Sequence, residues 1–226
     1  MQTVEELLKE YSGEINIAVT SFYACKNINK LAVGNDKIFQ ALQHNALSWN
    51  IFTHSLQTTF FTALGRIFDN DNRSFTVRSF INKCQSEINQ FSKASFEVRR
   101  LSSANGIRPD YLDDYLAGVY EPVTADFQAL ADAIEKHEIE YKKNYQPIRH
   151  KLIAHKDFAT IVGKDTLFAK TNIEEIEKIL AFLFQVEKFV EQLIINGRLT
   201  ELNDHKLNEE DYVRKDLEKL LLKLCS

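Results

Sequence analysis

The chain has 226 residues, with 28 Lys and Arg against 32 Asp and Glu, for a formal charge of −4. That length suits one folded domain with a real core, and 44% apolar content with 16 Phe excludes disorder as the resting state. Seven Gly and three Pro are few helix breakers, where average usage of about 12% would give roughly 27, so long helices are expected.

The amino terminus, MQTVEELLKEYSGE, is amphipathic and acidic and lacks the basic start and apolar run of a signal peptide. Helical patterning covers about 3–31, with Gly13 as a break and the first turns as the least anchored part. A three-and-four spacing then runs through Ile38, Leu42, Ala46, Trp49, Phe52, Leu56, Phe60, Leu64 and Ile67. It predicts one long helix, capped at Asn35 or Asp36 and ended by the polar run 69–74. Trp49, Phe52, Phe60, Phe61 and Phe68 are expected in the core rather than as a base-stacking platform. His44 and His54 share a polar strip with Asn45, Asn50 and Thr53, too widely spaced to hold a metal without a third ligand.

Val77, Phe80, Ile81, Cys84 and Ile88 predict a shorter helix, and Phe96, Val98 and Leu101 a shorter one still. Gly106 and Pro109 mark a turn, followed by a short helix from Asp110 to near Gly118. Phe127, Leu130, Ile134 and Ile139 carry a second long helix, and Pro147 predicts a kink or restart over 144–147. The segment 158–170 alternates around GKD, as a short hairpin or an extended loop would, and its GKD lacks the rest of a phosphate-binding loop.

Thr171 and Asn172 before Glu174 and Glu175 read as a helix start. Ile173, Ile176, Leu180, Leu183, Val186, Val190 and Leu193 form that helix's buried stripe, and a last amphipathic helix covers about 208–225. No stretch approaches the roughly 18 apolar residues of a membrane span. Cys25, Cys84 and Cys225 stand far apart without a CxxC pattern, as reduced cytosolic thiols do, so neither a disulfide framework nor a zinc site is expected. The sum is an all-α helical bundle forming a single domain over 1–226, cytoplasmic and without a membrane partner. Its core covers about 36–196, with helices 3–31 and 208–225 as additions.

Ionisable and apolar residues meet most densely in YQPIRHKLIAHKD, from Tyr145 to Asp157. On an ideal helix Ile148, Leu152 and Ile153 share one side with Arg149 in its middle, so a permanent charge faces packing and needs a carboxylate, a carbonyl or a phosphate. His155 lies six positions on, about 120° around the axis. Two readings stay open: an anion site, or a structural Arg paired with an acid such as Asp69 and a His closing a helix C-terminus. Lys142, Lys143, Lys151 and Lys156 bring positive charge to the neighbourhood.

RHKLIAH is an Arg, a polar residue directly after it, four more residues and a His, late in a long helix. This resembles the signature of the HEPN superfamily (higher eukaryotes and prokaryotes nucleotide-binding). With WNIFTHSLQTTFFTALGRIFD before it and TNIEEIEKILAFL after it, the chain is similar to the abortive-infection U-type branch over about 39–195. The resemblance implies a four- or five-helix up-and-down bundle that dimerises so that two motifs face each other across a two-fold axis. It also implies a metal-independent endoribonuclease of a bacterial defence or toxin–antitoxin system, with RNA as substrate, no cofactor, and an antitoxin or defence protein as partner.

By that resemblance His155 works as general base or acid on the ribose 2′-hydroxyl or the leaving oxygen. Arg149 holds the scissile phosphate, and His150 orients it or shares proton transfer. Lys151, Lys156 and Tyr145 become substrate-binding candidates. The chemistry is coherent: an imidazole with pKa near 6.5 takes and gives protons at neutral pH, a guanidinium grips phosphate oxygens in pairs, and RNA carries its own nucleophile. Members regulated by adenylylation have a Tyr shortly after the motif's His. Here Lys156, Asp157 and Phe158 follow, so that regulation is not expected. The alternative reading is a non-catalytic HEPN module that binds nucleotide, RNA or a protein within a defence system.

Overall fold

The computed structural model describes residues 2–71, 73–154, 171–202 and 207–224, with 152–154 described by backbone alone. His155, Lys156, the expected hairpin or loop near 158–170 and Cys225 lie outside them. Among the described residues every regular element is helical, which establishes the all-α class. The helices are α1 (Val4–Gly34), α2 (Asp36–His44), α3 (Ala46–Ile67), α4 (Val77–Ser86), α5 (Lys93–Ser103), α6 (Leu112–Ala117), α7 (Thr124–Asn144), α8 (Gln146–Ile148), α9 (Ile173–Asn196) and α10 (Glu209–Leu224). A 3-10 turn covers Ile88–Phe91, and a π-wound segment, Arg149–Ala154, follows α8. No described helix is long and apolar enough to cross a membrane.

The chain divides into two compact units. One gathers Met1–Gly13, Phe68–Tyr141 and Ala181–His205, and the other Glu14–Ile67, Lys142–Leu180 and Lys206–Ser226.

In the first unit the aromatic side chains organise the core. Tyr11 stacks on Phe80 at 4.9 Å and Phe68 on Tyr141 at 5.0 Å, while Phe91 meets Phe127 at 5.4 Å. Thr76 and Ser79 form a capping box that starts α4, and Ser92 caps α5, so orphan N–H groups at both starts are satisfied. Arg99 and Arg100 donate to the carbonyls of Ile194 (2.9 Å) and Ile195 (2.8 Å), covering acceptors that the end of α9 leaves unused. Glu138 is buried on α7 and accepts two bonds from Arg78, at 2.7 and 3.2 Å. It occupies the buried face where the apolar pattern places Ile139, which is 58% exposed. The helix phase follows Phe127, Leu130, Ile134, Glu138 and Tyr141 instead, because a paired carboxylate is tolerated inside.

In the second unit Phe22 packs against Phe60 at 5.3 Å, among Ile15, Val19, Leu64, Ile148, Leu180 and Leu221. Lys26 on α1 bridges Glu177 on α9 and Glu210 on α10. The expected single helix from Ile38 to Ile67 is two helices. Asn45 ends α2 by donating its side-chain amide to the Ala41 carbonyl at 3.1 Å, and the chain turns there before α3. Asn35 caps α2 as expected, accepting from the backbone N–H of Lys37 and Ile38.

Two further expectations change. Gly13 does not interrupt α1, which runs for 31 residues, because one glycine costs only about 1 kcal/mol and buried neighbours outweigh it. The first turns of α1 are anchored, with Val4 fully buried and its N–H donated to Gln90 Oε1 at 3.0 Å.

Candidate functional site

The motif sits where α7 gives way to a new helical start. The regular helix ends at Asn144, Tyr145 supplies the bend, and Pro147 falls in the first turn of α8, where its missing N–H costs nothing. The kink expected over 144–147 is therefore present. Beyond it the backbone does not resume as α-helix: Arg149–Ala154 is π-wound, a rare form concentrated at functional sites. The ideal-helix angle relating Arg149 to position 155 does not apply across such winding.

Arg149 is half-buried, His150 and Lys151 are exposed, and Ile148 beneath them is fully buried. Arg149 Nη1 lies 3.4 Å from His150 Nε2. A guanidinium only donates, so this long contact is a hydrogen bond only in the tautomer that leaves Nε2 as acceptor. Among the described residues of its unit, no carboxylate pairs with Arg149.

Instead the aliphatic end of Arg149 and its guanidinium rest against α3 at Gly65. A Cβ built on Gly65 would collide with Arg149 Cδ and Nε and stand 2.9 Å from Cζ. Gly65 was not among the sequence candidates. Its trace in the sequence is a lone glycine inside a strongly helical apolar run, which often marks a close approach.

Tyr145 is fully buried. Its hydroxyl lies 3.1 Å from both the Asn172 carbonyl and Glu175 Oε2, and the Asn172 N–H approaches it at 3.4 Å. It ties the bend before the motif to the start of α9, inside the protein rather than at its surface. Asp69 accepts from the N–H groups of Asn70 (2.7 Å) and Asp71 (3.2 Å) and from the Ser74 hydroxyl (3.3 Å), which closes the 69–74 turn.

The aromatic run divides. Phe60, Phe61 and Phe68 are core, whereas Phe52 is 42% exposed and Trp49 is half-buried on a groove that includes Ile38, Leu42, Leu221 and Leu224. That groove contains none of the candidate site residues. Among the described residues no three His, Cys, Asp or Glu side chains gather as metal ligands would.

Neither a curated protein nor a solved structure matches the chain. A family model, described as AbiU2 of the HEPN type, matches residues 1–215, from the amino terminus into α10. A match of that extent takes in the kinked motif segment and α1 to α9, and the chain therefore belongs to the AbiU2 family of HEPN domains.

Proposed function

We propose that this HEPN module of a defence system is a metal-independent endoribonuclease, active as a homodimer in which each copy contributes Arg149, His150 and His155 to a composite site. The observation that carries the reading is the state of Arg149: half-buried, laid against α3, beside His150 Nε2 and without a carboxylate partner among the described residues of its unit. A half-buried guanidinium with no carboxylate beside it among the described residues of its unit suits an anion, and its planar fork matches the non-bridging oxygens of a phosphodiester.

In that role Arg149 binds the scissile phosphate and the charge that grows on it in the transition state. An imidazole, from His155 or from His150, takes the proton of the ribose 2′-hydroxyl as its oxygen attacks phosphorus. A second imidazole, protonated at the outset, gives its proton to the 5′-oxygen as the P–O bond breaks, leaving a 2′,3′-cyclic phosphate and a 5′-hydroxyl. The exposure of His150 and its place 3.4 Å from Arg149 Nη1 support a part in proton transfer. Lys151 and Lys156 add attraction for the RNA backbone.

The test is incubation of the pure protein with total cellular RNA in EDTA, beside Arg149→Ala and His155→Ala variants of verified fold, with the new termini identified. The reading expects cyclic phosphate ends and a loss of about 10²–10⁴-fold on removing the imidazole. Equal cleavage by wild type and both variants overturns it. RNA binding without turnover assigns the chain to the non-catalytic class of HEPN module.

A further inference from the structure

The geometry points to Gly65 as a positioning residue for Arg149: the side chain that Gly65 lacks is the seat in which the motif guanidinium lies. Gly65 is buried in the last turn of α3 and does not adopt the left-handed backbone reserved for glycine, which Gly106 and Gly197 do. Its conformation is open to any residue, and alanine would be the better helix former there. The need for glycine is therefore one of space.

What fills that space is specific. The three atoms nearest a built Cβ are Cδ, Nε and Cζ of Arg149, whereas the helical Gly13 and Gly34 have nothing within 4 Å of theirs.

The last turn of α3 carries the negative end of the helix dipole and carbonyls without intrahelical partners, so a cation is favoured there, and α3 itself has no carboxylate residue that would neutralise it in this seat. The seat narrows the rotamers of a long side chain and leaves the charge available, as preorganised phosphate recognition requires. On this inference α3, remote from the motif in sequence, forms one wall of the anion site. The functional consequence rests on the ribonuclease reading of Arg149, while the seat itself rests only on geometry.

The test is Gly65→Ala in the full chain. The colliding atoms are the outer part of a flexible side chain, so the added methyl should displace the guanidinium rather than unfold the protein. Two readouts are taken. The first is the Nε–H cross-peak of Arg149 in a ¹H–¹⁵N spectrum, assigned by its loss in Arg149→Ala. The second is the affinity for a 2′-O-methyl oligoribonucleotide, which has no free 2′-hydroxyl to attack the phosphate.

The seat predicts that Gly65→Ala moves the cross-peak and weakens binding about 10-fold, a loss typical of one misplaced charged contact. It also predicts that Gly65→Ala adds no further loss in the Arg149→Ala background. An unmoved cross-peak overturns the seat, as does an equal loss of affinity with and without Arg149. If Gly65→Ala alone fails to fold, the double variant decides. A folded double variant supports the seat, because the methyl occupies the space Arg149 vacated, and an unfolded one overturns it. Unchanged affinity in Arg149→Ala overturns the ribonuclease reading instead, and the cross-peak still reports on the seat.

Discussion

Replacing Tyr145 by Phe removes a single oxygen from the joint between the motif segment and α9. The ring is fully buried, so the shape of the core is kept and only the polar contacts are lost. The hydroxyl has one proton, shared between the Asn172 carbonyl and Glu175 Oε2 at 3.1 Å each, and the Asn172 N–H approaches its oxygen at 3.4 Å. One good hydrogen bond with partial charge assistance, together with an acceptor and a donor left poorly satisfied, is worth about 1–2 kcal/mol.

With a urea m-value of about 2 kcal/mol/M, that cost moves the unfolding midpoint down by roughly 0.5–1 M at constant m. Tyr145→Ala, which also empties the ring's space, should cost about 3–5 kcal/mol. The assay is equilibrium urea unfolding followed by circular dichroism, with RNA affinity measured on the same samples. A midpoint for Tyr145→Phe within about 0.1 M of wild type would refute the reasoning that this hydroxyl holds the joint. Unchanged stability with weakened RNA binding would return Tyr145 to the substrate side of the site.

Burial opposes the charge on Lys26, but its bonds to Glu177 and Glu210 outweigh this and hold its pKa above the usual lysine value. A raised folded-state value adds stability that is complete below the unfolded pKa of about 10.4 and disappears as pH rises through the folded one. Lys26→Met should therefore lower the melting temperature at pH 7, by a difference that shrinks above pH 10.4. A difference independent of pH up to 11 would contradict the bridge. Burial pushes the Cys84 thiol up to about 12, while Cys25, half-buried, is raised by burial against a hydrogen bond from Gln57 that lowers it. Iodoacetamide at pH 8, read by peptide mass spectrometry, should label Cys25 in the native protein and Cys84 only after denaturation. Equal native rates would show that the core around Cys84 opens.

What the sequence determined by itself was the helical class and most of the local signals that start and bend its helices, though not the break that Asn45 makes between α2 and α3. Scarce Gly and Pro and the three-and-four apolar rhythm sufficed for an all-α chain, since helix periodicity is written into each turn. Asn35 as a cap, Asn172 as a start and Pro147 as a bend were legible because each acts through its own neighbouring backbone groups. The RHKLIAH motif in its helix order was likewise enough to suggest the family that residues 1–215 match.

Tertiary structure decided what depends on who faces whom. Gly13 was read as a break and Gly65 passed unnoticed, although the first sits within an unbroken helix and the second receives Arg149. Local rules score both glycines alike; only a distant side chain entering the space above Gly65 tells them apart. Ile139 and Glu138 exchanged their expected places because a carboxylate met by Arg78 can be buried, and that pairing joins residues 60 positions apart. The π winding at Arg149–Ala154 belongs with these. The motif segment is held at one end by Tyr145 against α9 and meets α3 where Arg149 lies on Gly65, and no pattern within RHKLIA encodes the compromise between them.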